Sequence, residues 1–187
     1  MSDYNWVLRG RCHQFGHDVP HAGGIVPGHF ITARETNPAV LTPHLFEELR
    51  PGFSQRCRPG DIVVAGKRFG MGPKVPGYIA MRALGLGLLC ESMPVQAYRA
   101  AVGEGLPVLA PCPGLLDLCE DGDLLEVDFS TGRFHNETRG TTAQLPPVPE
   151  ALRALIVQGG TAGWLGHWWQ TQQHPSLRAA ASAAGTA

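Results

Sequence analysis

Lys74 is the charged side chain at the tip of a glycine-rich loop, G-K-R-F-G-M-G-P-K-V-P-G from Gly66 to Gly77. An ammonium so placed can hold an anion or, with a lowered pKa, act as a base. Gly66, Gly70, Gly72 and Gly77 permit φ > 0 and close backbone approach. A loop between strand and helix presents N–H groups to an anionic ligand, so Gly70, Met71, Gly72 and Pro73 form a candidate binding segment. His17, Asp18 and His21 lie upstream in a loop rich in Gly, Pro and His. A His/Asp pair can serve as acid and base near neutral pH. Lys74, His21 and Asp18 are therefore the candidate catalytic residues, and His17 a candidate substrate contact. The plainer reading is a solvated lysine in a Pro/Gly loop, and turn-forming polar residues at the surface.

Positioning these groups requires elements on both sides of each loop. Trp6 to Gln14 reads as a first, roughly alternating strand, and Phe15 to Pro27 as a loop. Pro43 to Leu49 predicts a short helix with Thr42 as N-cap and Pro43 at the first helical position. The turn Arg58 to Asp61 launches the apolar strand Ile62 to Ala65. After the glycine loop come a short helix from Tyr78 to Leu84, a buried strand over Leu86 to Cys90, and a helix over Pro94 to Glu104. The inner face of that helix would hold Val95, Tyr98 and Val102. Val108-Leu109 is a further short strand, Leu124 to Phe129 and Arg133 to Glu137 read as a hairpin, and Pro149 to Gln158 as a helix ended by Gly159-Gly160. A last short helix carries Trp164, Leu165, Trp168 and Trp169. Helices and strands alternate early and a hairpin follows, which gives an α/β class with a mixed sheet and flanking helices. One domain over residues 1–175 is expected, then a flexible small, polar, Ala-rich tail over 176–187.

The chain's 187 residues suffice for one sizeable core, and its net charge of −1 favours neither nucleic acid nor an acidic membrane surface. Cys12, Cys57, Cys90, Cys112 and Cys119 contain no C-x-x-C pair, so no metal is expected on this chain alone. Their odd number and irregular spacing argue against a disulfide framework. With no basic-then-apolar start and no membrane-length apolar run, the expected location is cytoplasmic.

The order of the motifs resembles the small subunit of 3-isopropylmalate dehydratase. G-R-C-H-Q-F-G at Gly10 is similar to that family's G-x-V-x-x-F-G, and I-V-P-G-H-F at Ile25 to its I-I-P-x-R-Y. P-G-D-I-V-V-A-G-K-R-F-G-M-G at Pro59 resembles P-G-D-I-I-V-A-G-x-N-F-G-x-G, the most specific of the matches. S-M-P-V-Q-A-Y-R-A-A-V-G-E-G-L-P-V at Ser92 and G-D-L-L-E-V-D at Gly122 follow in frame. The resemblance runs from about Gly10 to the Trp168 region. It implies an aconitase swivel-type β/β/α domain that closes over a 4Fe–4S cluster carried by a large aconitase-like partner. The implied reaction is reversible dehydration of a hydroxy acid, with the cluster iron as Lewis acid.

The sequence departs from the family at its chemistry. Where the family reads G-S-S-R-E-H, this chain has Pro73-Lys74-Val75-Pro76-Gly77-Tyr78. Both serines, one of them the family's base, are absent, and its carboxylate-gripping arginine aligns near Val75. A second family arginine falls at Val95, and the acidic early loop becomes His17 to Gly23. His29 lies near a family arginine, which makes it a candidate substrate contact. Valine cannot make the bidentate carboxylate bonds of arginine, so the resemblance implies the small subunit of a hydro-lyase with an altered substrate. Two alternatives stand beside it: a non-catalytic swivel domain for assembly or ligand sensing, and a metal-independent enzyme that reuses the loop.

Overall fold

In a computed structural model that describes residues 4–72 and 74–172, the chain begins with β1 (Val7–Phe15), then α1 (Gly28–Thr32), α2 (Pro38–Leu41) and α3 (Phe53–Arg56). A repeating unit follows: β2 (Ile62–Ala65), α4 (Pro76–Ala83), β3 (Gly87–Cys90), α5 (Val95–Gly103) and β4 (Val108–Leu109). The last part holds β5 (Leu124–Asp128), β6 (Arg133–Asn136), β7 (Thr141–Gln144), α6 (Glu150–Val157) and α7 (Gly160–Gln172). The seven strands form one sheet in the order β4-β3-β2-β1-β5-β6-β7. Strands β4 to β1 pair in parallel and β1, β5, β6 and β7 antiparallel, so β1 joins the two halves.

Strands β2 and β3 are buried at every position, as parallel strands covered on both faces must be. Val63, Ala65, Leu88 and Cys90 point into one core with Phe46, Phe69, Tyr78 and Met81. Ile62, Val64 and Leu89 point into the other with Phe129, Phe134, Val148 and Ile156. In the antiparallel half, β5 alternates between buried and half-buried residues, the period-2 pattern of a strand with one drier face.

The register of β1 on β2 is fixed chemically. Asp61, just before β2, accepts the Arg11 N–H at 2.8 Å and the Arg58 N–H at 3.0 Å. A Cβ on Gly10 would lie 2.5 Å from the Gly60 carbonyl oxygen, so only glycine allows the Gly60-Asp61 turn to seat against β1.

Several sequence expectations are corrected. The helix expected over Pro43–Leu49 lies earlier: Asn37 caps it through the Ala39 N–H at 3.0 Å, and α2 runs into a 3-10 turn over Thr42–His44. Phe46 then takes left-handed backbone (φ 55°) and stacks on Phe15 at 4.1 Å. Packing of its ring overrides the helical signal of the local sequence. Val95 does not face inward but is 70% exposed, and Ala97 and Ala101 fill the buried face of α5 with Val102. Strand β7 was not expected, since Thr-Thr-Ala-Gln has little apolar character. Helix α7 leaves Trp164, Leu165, Trp168 and Trp169 exposed. No helix among the described residues is long and apolar enough to cross a membrane. The tail over 176–187 lies outside the described residues.

Gly10→Ala is expected to destabilise the chain by about 1–3 kcal/mol through the forced shift of the Gly60-Asp61 backbone. A lowered urea midpoint at unchanged m-value checks this, and an unchanged midpoint would contradict it.

Candidate functional site

Phe15 lies opposite Ala65, and Ala65 opposite Cys90, so three parallel strands end side by side. The residues that follow, Gly16-His17, Gly66-Lys67 and Glu91-Ser92, therefore share one edge of the sheet. That edge, beyond the carboxyl ends of the strands, is where open α/β sheets bind ligands.

Gly66 is required there. A Cβ on it would lie 2.2 Å from His17 Nδ1, and the same nitrogen accepts the Lys67 N–H at 2.9 Å. The neutral imidazole of His17 must then carry its proton on Nε2. Its ring is half exposed, with Nδ1 3.9 Å from Glu91 Oε2.

Four backbone hydrogen bonds join the two loops: Gly66 N–H to Gly16 O (3.1 Å), Asp18 N–H to Lys67 O (2.9 Å), Gly70 N–H to Val19 O (2.8 Å) and His21 N–H to Met71 O (3.2 Å). Asp18 and Arg68 both take left-handed backbone, at φ 60° and 58°, which is uncommon outside glycine. Their side chains meet in a bidentate pair, with Arg68 Nη2 2.6 Å from Asp18 Oδ2. The hydrogen bond from Arg68 holds the Asp18 carboxyl below its usual range.

His21 points the other way. It is fully buried and edge-on to Tyr78 at 4.9 Å between ring centroids. Its Nε2 accepts the Gly77 N–H at 3.0 Å. That N–H lies in the first turn of α4, which has no side-chain cap of its own and begins with Pro76; His21 satisfies a donor the helix leaves orphaned. Burial, assisted by the nearby charge of Lys74, lowers the imidazole pKa to about 4, so His21 is neutral at physiological pH. The acid–base pair expected from His21 and Asp18 does not form: the imidazole is a buried acceptor, and the carboxylate is paired with Arg68 at the surface.

Lys74 is half-buried, and its N–H donates to Gly72 O at 3.0 Å. Met71, 41% exposed, and Gly72 flank it on the outer side of the loop. His29 is exposed on α1, its ring against Phe30 at 4.0 Å. Pro73 lies outside the described residues. The structure thus sets His17 beside Lys67 and Glu91 at the strand ends, and Lys74 beside Gly72 and near His21, while His21 is buried and Asp18 is paired with Arg68.

Sequence reasoning passed over Glu91 and Tyr78. Glu91 Oε2 and Tyr78 Oη are buried without a hydrogen-bond partner among the described residues, as is His21 Nδ1. A Cβ on Gly70 would lie 2.2 Å from Tyr78 Oη, so the phenol packs directly beneath the loop. The available signal was position, since Glu91 is the first polar residue after the apolar run ending at Cys90.

A mixed sheet with helices on its parallel half, and a glycine loop at the carboxyl edge, defines an α/β domain with its candidate site at the strand ends. No family model matches the chain. The small subunit 1 of 3-isopropylmalate dehydratase from Methanopyrus kandleri is 35% identical over 156 residues, which is 82% of this chain and 89% of that protein. The small subunit from Methanosarcina mazei is 36% identical over 82% of this chain and 93% of its own length. The crystal structure of a 3-isopropylmalate dehydratase from Methanocaldococcus jannaschii superposes with a TM-score of 0.79 at 27% identity, covering 89% of this chain and 97% of that one. The chain belongs to the family of 3-isopropylmalate dehydratase small subunits, components of an aconitase-superfamily hydro-lyase.

His21 gives the fold a pH dependence of definite sign. Its pKa is about 4 folded and 6.5 in the reference state, so the unfolded chain binds the extra proton between those values. The stabilisation is complete above about pH 6.5 and is lost as pH falls towards 4, by about 3 kcal/mol in all. Urea unfolding across that range is expected to show this slope in the parent chain and a reduced slope in His21→Gln. Equal slopes would refute the assignment.

Proposed function

We propose that the chain is the small, site-closing subunit of an aconitase-superfamily hydro-lyase, working with a larger iron–sulfur subunit on a hydroxy acid other than isopropylmalate. The observation that supports this best is the joined pair of loops at the carboxyl edge, which carries Lys74 where the family loop carries its serines and arginine. A 4Fe–4S cluster in the larger subunit supplies Lewis acidity towards the leaving hydroxyl when bound. This chain's residues bind the substrate, orient it and exclude water.

Lys74 holds a carboxylate of the substrate. An ammonium is a point charge without the planar fork of arginine, so it fixes the anion's position more firmly than its orientation. Met71 and Val95 offer apolar surface, and Val95 occupies the place of the second family arginine. The favoured substrate therefore bears one carboxylate at the Lys74 end and an uncharged group elsewhere, with His29 as a further contact. His17 is the group placed to move a proton: Nδ1 is held by the Lys67 N–H, and Nε2 carries the exchangeable proton. A second reading, a swivel domain that binds without turnover, draws on the burial of His21 and the pairing of Asp18.

The chain alone is expected to show no hydro-lyase activity. Co-expression with its large iron–sulfur subunit is expected to give a brown complex that dehydrates a hydroxy acid. Turnover by the purified single chain without metal would overturn the proposal. In the complex, Lys74→Ala is expected to lower kcat/KM about 10- to 100-fold, the range for one hydrogen bond to a charged group. An unchanged kcat/KM removes Lys74 from the site. A complex that assembles but turns over no hydroxy acid supports the second reading.

A further inference from the structure

We propose that His13, Cys57 and Asp61 form a binding site for a divalent cation of the zinc class. The residues come from three places: His13 from β1, Cys57 from the end of α3, and Asp61 from the turn before β2. Sequence spacing gives no hint of the site, because the parallel pairing of β1 and β2 creates it.

One donor atom from each residue lies within 4.8 Å of the other two. His13 Nε2 is 2.9 Å from Asp61 Oδ2 and 3.9 Å from Cys57 Sγ. Tetrahedral zinc, with bonds of about 2.0 Å to nitrogen and oxygen and about 2.3 Å to sulfur, needs donors about 3.3–3.6 Å apart. The nitrogen-to-oxygen separation lies just below that range and the nitrogen-to-sulfur separation just above it, while the sulfur and the carboxylate, within 4.8 Å of each other, draw together around the ion. Nitrogen, sulfur and carboxylate oxygen are zinc's ordinary ligands. A thiolate and a carboxylate together cancel the charge of a divalent ion.

The supporting groups are in place. Arg11 and Arg58 N–H groups hold the Asp61 carboxylate, and Phe53 lies edge-on to the His13 ring at 5.0 Å. Such outer contacts orient ligands and raise affinity. The side chains of His13 and Asp61 are only 13% and 5% exposed. His13 also lines a cavity of about 330 Å³ with Arg11, Arg50, Arg56 and Asp121, which gives water access to its ring. A Cys-His-Asp nucleophilic triad does not fit the geometry. The sulfur and the carboxylate both approach Nε2, whereas a triad places them on opposite nitrogens.

The site stands apart from the candidate functional site. His13 lies within β1 beside the start of β2, and His17 lies beyond the end of β1, past Phe15. The cation would clamp β1 to the α3–β2 turn.

The test uses the full-length chain, stripped with chelator and kept reduced and free of oxygen. Titrated Co²⁺ is expected to bind at one equivalent, with a sulfur-to-cobalt charge-transfer band that Zn²⁺ displaces. Zn²⁺ in excess is expected to raise Tm, as binding to the native state requires. Cys57→Ala, at a half-buried position on the edge of one core, is expected to keep the parent's circular dichroism, lose the band and weaken Co²⁺ binding at least about 100-fold. His13→Gln is expected to weaken binding similarly and to abolish the Tm rise. The absence of a band in the parent chain means that the cluster is only a structural ion pair beside a thiol, and overturns the proposal. A band that survives Cys57→Ala places the metal on other cysteines and overturns it equally.

Discussion

The grip of the Asp61 carboxylate on the backbone of β1 is the interaction on which the rest depends. Every residue of β2 is apolar and buried, so hydrophobicity alone would distinguish poorly between neighbouring registers. The hydrogen bond from the Arg11 N–H, and the close seating of Gly60 on Gly10, select one. A slip by one residue would separate Gly66 from His17 and break the alignment of strand ends that brings Glu91 beside them. The candidate site is thus set from the opposite end of the strands, by a residue that takes no part in it.

Much of the fold was legible because local and long-range signals agree. The apolar runs at Ile62 and Leu86, the glycine loop and the helix after it all lie where pattern and turn chemistry put them. Misreadings occur where a tertiary contact decides. Phe46 leaves the helical path to stack on Phe15 and meet Phe53 edge-on. Val95 sits on the solvent side of α5 because small Ala97 and Ala101 let that helix approach the core. Half-polar β7 is a strand only because β6 offers it an edge.

The site was legible as a place but not as a set of roles. Lys74, Met71 and Gly72 follow from the loop. The fate of His21 does not, because a histidine among glycines and prolines looks solvent-exposed until a helix start is brought against it. Asp18 likewise looks free until the left-handed turn at Arg68 turns the guanidinium onto it. Burial neutralises one expected catalytic group and ion pairing engages the other, and neither event leaves a trace in spacing.

The backbone of the joined loops has a thermodynamic consequence. Residues 18 to 21 and 67 to 71 are cross-linked by three main-chain hydrogen bonds, so the two loops behave as a single edge rather than as independent flaps. Fixing one residue's backbone costs about 1–2 kcal/mol of conformational entropy. That ordering is already complete when the chain folds. A substrate or partner meeting this edge spends its contact energy on recognition rather than on ordering the loops.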